Sequence, residues 1–210
     1  MSQDSNILHQ FWDPIKSLPN SVTSINNTGK GLQFIDRIIN SRILDTTICS
    51  SPEVGKLYWF YYVPDEMKRY RYWDSMPLVI VTDVSGTTFT GINLHYIPNK
   101  YRIDISYTII SNWSNNKNLS DNCRILIKSH EVKGLPNSRQ LVHQYKLNNL
   151  KTNMYEIDGS SWGAAIALPL ADFKVANRNA PLTEVNRINW QDVIYQPRIS
   201  LILAEAKKKK

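Results

Sequence analysis

The sequence predicts an α+β protein: a small SH3-like five-stranded β-barrel interrupted by a helical insertion, with extended N- and C-terminal arms. Three observations predict this fold class. Three short strand-like runs joined by tight turns fall between residues 56 and 94. A segment with helical spacing follows, and strand character returns after residue 152. Short strands with tight connections favour a small, strongly bent barrel over an open sheet.

Length and composition define the broad class. The 210 residues are enough for one hydrophobic core without disulfides or a structural metal. A hydrophobic content of 42% excludes a disordered chain, and 8 Gly with 10 Pro exclude collagen-like repeats. No apolar run is long enough to span a bilayer, and the polar residues Met1 to Gln10 lack the charged-then-apolar order of a signal peptide, so we expect cytoplasmic synthesis and no membrane partner.

The N-terminal region divides into an arm and a helix. Residues 1–30 are polar and contain Pro14 and Pro19, so they are predicted to be an extended arm. The single domain is predicted over 31–175, beginning with a packing helix at 31–44. Its apolar residues recur three to four positions apart, at Leu32, Ile35, Ile38, Ile39 and Ile43.

Five barrel strands are predicted from aromatic and β-branched runs that end at turn residues. Pro64 stops the first run, Pro77 precedes the second, and Ser85-Gly86 turns the chain into the third. Gly91 lies inside the third run and predicts a bulge or tight bend. The predicted strands are residues 56–63, 78–84, 87–94, 153–157 and 162–168, approximately.

A helical insertion is predicted at 99–151, between the third and fourth strands. Its first part has apolar residues four apart from Tyr101 to Ile109; an alternating pattern is also present there, but a helix is preferred. Ser120 or Asp121 is predicted to cap a second helix, and a third is predicted over Gln140–Leu150. Residues 176–210 are predicted to be a C-terminal extension that ends in a lysine tail.

The positive charge is concentrated in two places. The chain carries a net +7, of which the insertion holds +6 and the last four residues +4, while the other segments are neutral or acidic. Such clusters are typical of proteins that bind a polyanion, although a solvated face and a solubility tail are the equally favoured alternative. The candidate phosphate contacts are Lys100, Arg102, Lys117, Arg124, Lys128, Lys133, Arg139, Lys146, Lys151, Lys207, Lys208, Lys209 and Lys210.

Aromatic residues are concentrated between Tyr58 and Trp73, with Lys68, Arg69 and Arg71 among them. Alternate members of a strand face opposite sides of a sheet, so one set could stack on bases. The preferred interpretation is that these side chains fill the barrel interior.

No enzyme is predicted, because nucleotide-binding, hydrolase and metalloprotease motifs are all missing from the sequence. His95 with Asp74 or Asp83 is the strongest catalytic candidate, as the general base of a nuclease. The favoured alternative is a packed histidine that hydrogen-bonds a backbone carbonyl. The two cysteines, Cys49 and Cys123, are far apart with no ligand spacing around them, so no metal or other cofactor is expected.

Several motifs resemble one protein family. They are Gly55–Tyr62, Tyr72–Val81, Gly91–Pro98 with Arg102, Met154–Ile157, and Trp162–Pro169 with Phe173. Together they resemble small structural proteins of T-even-like tailed bacteriophages, the DNA-end protector proteins, over about residues 55–175. Beyond Phe173 and in the N-terminal arm the sequence departs from that pattern.

The resemblance implies a virion component without catalytic activity that accompanies the packaged genome and shields its ends from exonuclease. The matching residues are then barrel and loop determinants: Trp73, Asp74, Pro77, Asn93, His95, Tyr96 and Trp162.

Two functions follow as expectations. The first is a non-enzymatic virion protein that binds packaged DNA ends without sequence specificity, through the basic insertion and tail. The second is a tail, neck or baseplate component that binds only other virion proteins through its terminal arms. The expected partners are therefore virion proteins in a symmetric assembly, and double-stranded DNA.

Overall fold

A six-stranded antiparallel sheet forms the centre of the structure, which is a computed structural model. Its strands, in chain order, are β1 (Thr46–Cys49), β2 (Leu57–Trp59), β4 (Leu78–Ser85), β5 (Thr88–Asn93), β6 (Val142–Lys146) and β7 (Met154–Ile157). Across the sheet, neighbouring strands follow the order β1-β7-β2-β4-β5-β6. A second sheet pairs β3 (Tyr72–Asp74) with β8 (Phe173–Val175). The helices are α1 (Asp4–Ser17), α2 (Asn99–Trp113), α3 (Ser129–Val132) and α4 (Trp162–Ala167).

The structure describes residues 4–17, 44–65, 72–97, 99–116, 118–119, 122–132, 141–168, 170–171 and 173–175. Apart from Leu44, the predicted helix 31–44 lies outside these residues. So does the C-terminal extension 176–210.

Each face of the central sheet buries a separate apolar cluster. On one face, Trp59, Ile80 and Ile92 join residues from α1, α2 and α4 in the larger cluster. On the other, Phe60, Phe89 and other residues form a smaller, largely aromatic cluster. Burial on both faces explains why β2 is apolar throughout instead of alternating with polar residues.

Four of the predicted strands are confirmed as elements: β2, β4, β5 and β7 lie within or close to their predicted bounds. A bulge or bend was expected at Gly91; the irregularity lies instead on the opposite strand, where the β4–β5 register shifts between Val81, the partner of Gly91, and Asp83. A Cβ atom on Gly91 would lie 2.3 Å from Val79 Cγ1 and 2.5 Å from the Ile80 carbonyl oxygen. Only glycine fits so close to the neighbouring strand.

The predicted closed barrel is not found among the described strands. They form an open sheet with β1 and β6 at its edges, so the SH3-like barrel is not confirmed. One isolated bridge, Tyr62 to Leu150, brings the chain after β2 against the chain after β6. Without a continuous ladder at that point, the sheet bends but does not close.

Two elements predicted as extended are helices. The arm 1–30 contains α1, whose Ile7, Phe11 and Ile15 are four residues apart and pack toward the core. The predicted strand 162–168 is α4, a continuous apolar run that periodicity alone cannot assign to strand or helix. Its three alanines favour the helix, since alanine has the highest helix propensity.

The helical insertion is only partly helical. Its first helix is confirmed as α2. The predicted second helix is wrong, because Ile125 instead forms an isolated bridge with Ser114 and α3 begins only at Ser129. The predicted third helix is wrong as well, because Val142–Lys146 is strand β6. Pairing with the free edge of β5 outweighs the local helical spacing of these residues.

Candidate nucleic-acid interface

Lys146 forms an ion pair with an exposed carboxylate from the segment after β2. The Lys146 ammonium nitrogen is 2.8 Å from Asp65 Oδ2, and both side chains are more than half exposed. A hydrogen bond from Lys146 lowers the pKa of Asp65, and the Asn149 side chain and the charge of Lys151 add to this effect. Sequence reasoning missed Asp65 and Asn149, because only the tertiary fold brings a residue after β2 next to the end of β6.

Arg124 and Lys128 are also accessible. The Arg124 guanidinium forms an ion pair with Glu53 and donates a hydrogen bond to the Val54 carbonyl oxygen at 3.1 Å. Lys128 is exposed and precedes α3, and its backbone N–H donates to Glu131 Oε2 at 2.7 Å. Both residues stay in the candidate interface.

Arg102 is buried and does not belong to the exposed surface. Its guanidinium donates to the carbonyl oxygens of Ile97 and His95, each at 3.3 Å, and the residue is only 4% exposed. Burial lowers the pKa of Arg102 to about 10, although the charge of Asp74 acts in the opposite direction. In this position Arg102 supports the turn after β5 and cannot reach a phosphate.

The other candidate cations cannot be placed. The described part of the chain does not include the side chain of Lys100 or the residues Lys117, Lys133, Arg139, Lys207, Lys208, Lys209 and Lys210.

The first aromatic residues of the run, in and next to β2, are packed inside the protein and do not provide a surface for base stacking. Tyr58, Trp59 and Phe60 are fully buried, as the interior-filling interpretation predicts. Phe60 and Tyr62 each meet the Tyr145 ring edge to face, at centroid distances of 5.3 and 5.1 Å. These contacts belong to the smaller apolar cluster and leave no described face of these rings for a base.

Asp74 and His95 form a buried pair. The His95 Nδ1 atom is 2.8 Å from Asp74 Oδ2, and Asn93 donates to the same oxygen at 3.0 Å. Asp74 Oδ1 accepts from the Met76 backbone N–H, so the carboxylate has three donors in all. His95 therefore pairs with Asp74 rather than Asp83, and with a carboxylate rather than the backbone carbonyl that the packing interpretation predicted.

The pair consists of an ionised aspartate and a neutral histidine. Burial alone would raise the pKa of Asp74, but His95 and the other two donors hold it below its ordinary value. Burial lowers the pKa of His95, and the attraction of Asp74 does not fully offset this. His95 Nδ1–H thus donates to the carboxylate, while Nε2 is buried without a partner among the described residues.

This pair has no access to a substrate, since His95 is fully buried and Asp74 is 4% exposed. A general base must come within hydrogen-bond reach of the proton it removes. The geometry therefore gives Asp74 and His95 a structural role, joining the start of β4 to the end of β5.

The remaining predicted determinants lie around this pair or in α4. Pro77 directly precedes β4, and Asn93 caps the turn after β5 by accepting from the His95 backbone N–H. Tyr96 stacks on His143 at 4.3 Å, and Trp73 lies in β3. Trp162 begins α4, not a barrel strand, and donates its indole N–H to the Ile157 carbonyl oxygen at 2.8 Å.

Acid is expected to destabilise the fold through His95. The unfolded histidine takes up a proton near pH 6.5, whereas the folded one has a lower pKa, so the free energy of unfolding should decrease below that pH. One proton taken up on unfolding lowers the free energy of unfolding by up to about 1.4 kcal/mol for each pH unit. Asp74, whose folded pKa is also depressed, adds a second loss below about pH 4.

Urea unfolding between about pH 7.5 and 5 measures this loss, and the His95→Gln variant should have a flatter profile. An NMR titration of the wild-type protein reports the His95 ring directly. A folded-state His95 pKa at or above about 6.5 would contradict the prediction.

No described helix is long and apolar enough to cross a membrane. Within the same described residues, no cluster of three or more His, Cys, Asp or Glu side chains could hold a metal ion.

Comparison with protein-family models assigns the chain to a class of bacteriophage proteins that protect DNA. The chain belongs to the family of the phage T4 terminal DNA protecting protein, whose model matches residues 2–189. This match confirms the family resemblance and extends beyond both ends of the segment 55–175 that carried it. Comparisons with curated proteins and with solved structures gave no significant match.

Proposed function

We propose that this protein is a non-enzymatic virion protein that binds the ends of packaged DNA through the cations of its insertion and its lysine tail. The family match over residues 2–189 is the observation that carries the proposal. The charge distribution supports it, because the insertion and the tail hold the whole positive excess. Contacts of lysine and arginine to phosphate carry no base information, so binding is independent of sequence.

The described surface supports this mode of binding. Lys146, Lys151 and Lys128 are exposed, and Arg124 is partly exposed, all within the insertion. The buried state of Asp74 and His95 supports a protein without catalysis, because the strongest catalytic candidate in the sequence cannot reach a substrate.

Binding to a blunt duplex is expected to weaken steeply with salt. Each neutralised phosphate contributes about 0.9 to the slope of log affinity against log salt, so six contacts give roughly a 10³-fold loss between 50 and 200 mM. Fluorescence anisotropy with a short linear duplex measures the slope. An exonuclease that degrades from double-stranded ends, added to the same complexes, tests protection.

A fourfold lysine variant and a single-lysine control outside the insertion test the tail. Replacing the four tail lysines with glutamine should reduce the slope by about 3 to 4 if all four contact phosphate. Lys16→Gln removes an exposed lysine of α1, outside the insertion, and should change the slope little. Affinity that does not depend on salt, or DNA ends that are digested at the same rate with and without the protein, would refute the proposed function.

The assembly alternative makes a different prediction. A tail, neck or baseplate component would enter particles through its arms without any protection of DNA ends. The described part of the N-terminal arm is α1, which packs on the body of the protein, so it does not support an arm free to wrap a partner.

A further inference from the structure

Asp65 lies among donors that the basic insertion supplies. It accepts a hydrogen bond from Lys146 at 2.8 Å, and the Asn149 side chain and the charge of Lys151 help to lower its pKa. One ammonium group of the insertion is therefore in direct contact with a carboxylate at the protein surface. Phosphate oxygens accept hydrogen bonds from the same donors.

The backbone, and not the ion pair alone, holds these donors in place. Residues 61–63 run antiparallel to 149–151: Val63 N–H donates to the Asn149 carbonyl oxygen at 3.2 Å, and Lys151 N–H donates to the Tyr61 carbonyl oxygen at 2.8 Å. Lys146 N–H also donates to the buried Tyr62 hydroxyl at 3.3 Å. The backbone that carries Lys146, Asn149 and Lys151 should thus keep its position when the Asp65 charge is removed.

Other described ion pairs lack this combination of features. The Lys56–Glu156 pair is largely buried, with side chains 9% and 18% exposed. Arg124, which pairs with Glu53, divides its donors between that carboxylate and a backbone carbonyl. The Asp13–Lys16 pair is exposed but lies in α1, outside the insertion. Among the described pairs, Asp65 is the exposed carboxylate that pairs with a lysine of the insertion.

We propose that Asp65 is an internal counter-ion that occupies the place of a DNA phosphate beside Lys146 and Lys151, and that duplex DNA binds here by displacing it. This inference rests on the proposed DNA-binding function and assigns it a particular site. Exposed ion pairs are weak, so a phosphate can compete for these lysines. In the free protein Asp65 opposes DNA, because a carboxylate repels a phosphate over the same short distance at which the lysines attract it.

The test compares two variants that each remove one exposed, paired negative charge. In Asp65→Asn, affinity for a short blunt duplex at 50 mM salt should rise roughly threefold to tenfold, and the salt slope should become steeper by about 0.9. Asp13→Asn makes the same change in net charge beside Lys16 in α1, outside the insertion, and should alter affinity less than about twofold. Adding Lys146→Ala to Asp65→Asn should remove the gain.

The possible results distinguish a failure of this inference from a failure of the proposed function. If the wild-type protein binds and protects DNA ends but Asp65→Asn binds no more tightly, or if Asp13→Asn produces the same gain, the inference is overturned and the proposed function stands. If neither wild type nor Asp65→Asn binds duplex at 50 mM salt, both are overturned. Thermal unfolding of each variant confirms that these surface changes leave the fold intact.

Discussion

Replacing Asp74 with alanine is expected to lower the free energy of unfolding by about 3–5 kcal/mol. The substitution removes the acceptor for His95 Nδ1–H, the Asn93 amide and the Met76 backbone N–H. All three donors are buried, and each unsatisfied buried donor costs about 1–3 kcal/mol. Urea unfolding followed by tryptophan fluorescence measures the loss.

Two further variants complete this experiment. Asp83→Ala removes an exposed aspartate from β4 and should change stability by less than about 0.5 kcal/mol. Asp74→Asn keeps one carbonyl acceptor and should lose less than Asp74→Ala, which gives a measurable result even if the alanine variant fails to fold. A loss of under about 1 kcal/mol in Asp74→Ala would mean that the pair is not the structural link inferred from its geometry.

Gly163→Ala is expected to displace helix α1 from α4. The added Cβ would lie 2.0 Å from the Phe11 carbonyl oxygen and 3.4 Å from Ile15 Cγ1. A backbone oxygen cannot move aside by changing rotamer, so the helices must separate and partly expose the fully buried Phe11 ring. Overpacking costs about 1–3 kcal/mol and occasionally more, and we expect the upper end of this range.

Limited trypsin digestion at Lys16, together with urea unfolding, measures this displacement. Gly86→Ala is the control: Gly86 has φ of +56° and open space around it, so alanine there costs only about 1–2 kcal/mol of backbone strain. In the control, α1 should be as resistant to trypsin as in the wild type. If α1 in Gly163→Ala resists trypsin as well as it does in the wild type, the interpretation of the α1–α4 contact is wrong.

Elements with an unambiguous local pattern were predictable from the sequence. Strands β4 and β5 are β-branched runs around a Ser-Gly turn, and α2 repeats its apolar residues every four positions. The repeat in α1 was equally regular, but the surrounding polar residues and prolines concealed it. Its signal is the spacing of Ile7, Phe11 and Ile15.

Where the prediction failed, a distant partner decided the structure. Val142–Lys146 has helical spacing, yet it is a strand because the edge of β5 is free to pair with it. The run Trp162–Ala167 is buried all round, so its sequence contains no periodicity that separates strand from helix.

Some features of the candidate site were also predictable from the sequence, and others were not. The sequence indicated where the cations are concentrated and paired His95 with Asp74 as one of two options. The burial of Arg102 was missed, although it precedes Ile105 by three residues and Ile109 by seven, which places it on the apolar side of α2. Asp65 was missed because its partner Lys146 is 81 residues away in the chain.

The sequence by itself determined the family, the location of the positive excess, and the strands and helix whose periodicity is distinct. The tertiary structure decided whether the sheet closes, which charges lose contact with water, and which carboxylate meets the exposed lysines. The reason is that local periodicity reports which side of an element is apolar, whereas desolvation and charge pairing depend on segments that are distant in the chain and meet only when it folds.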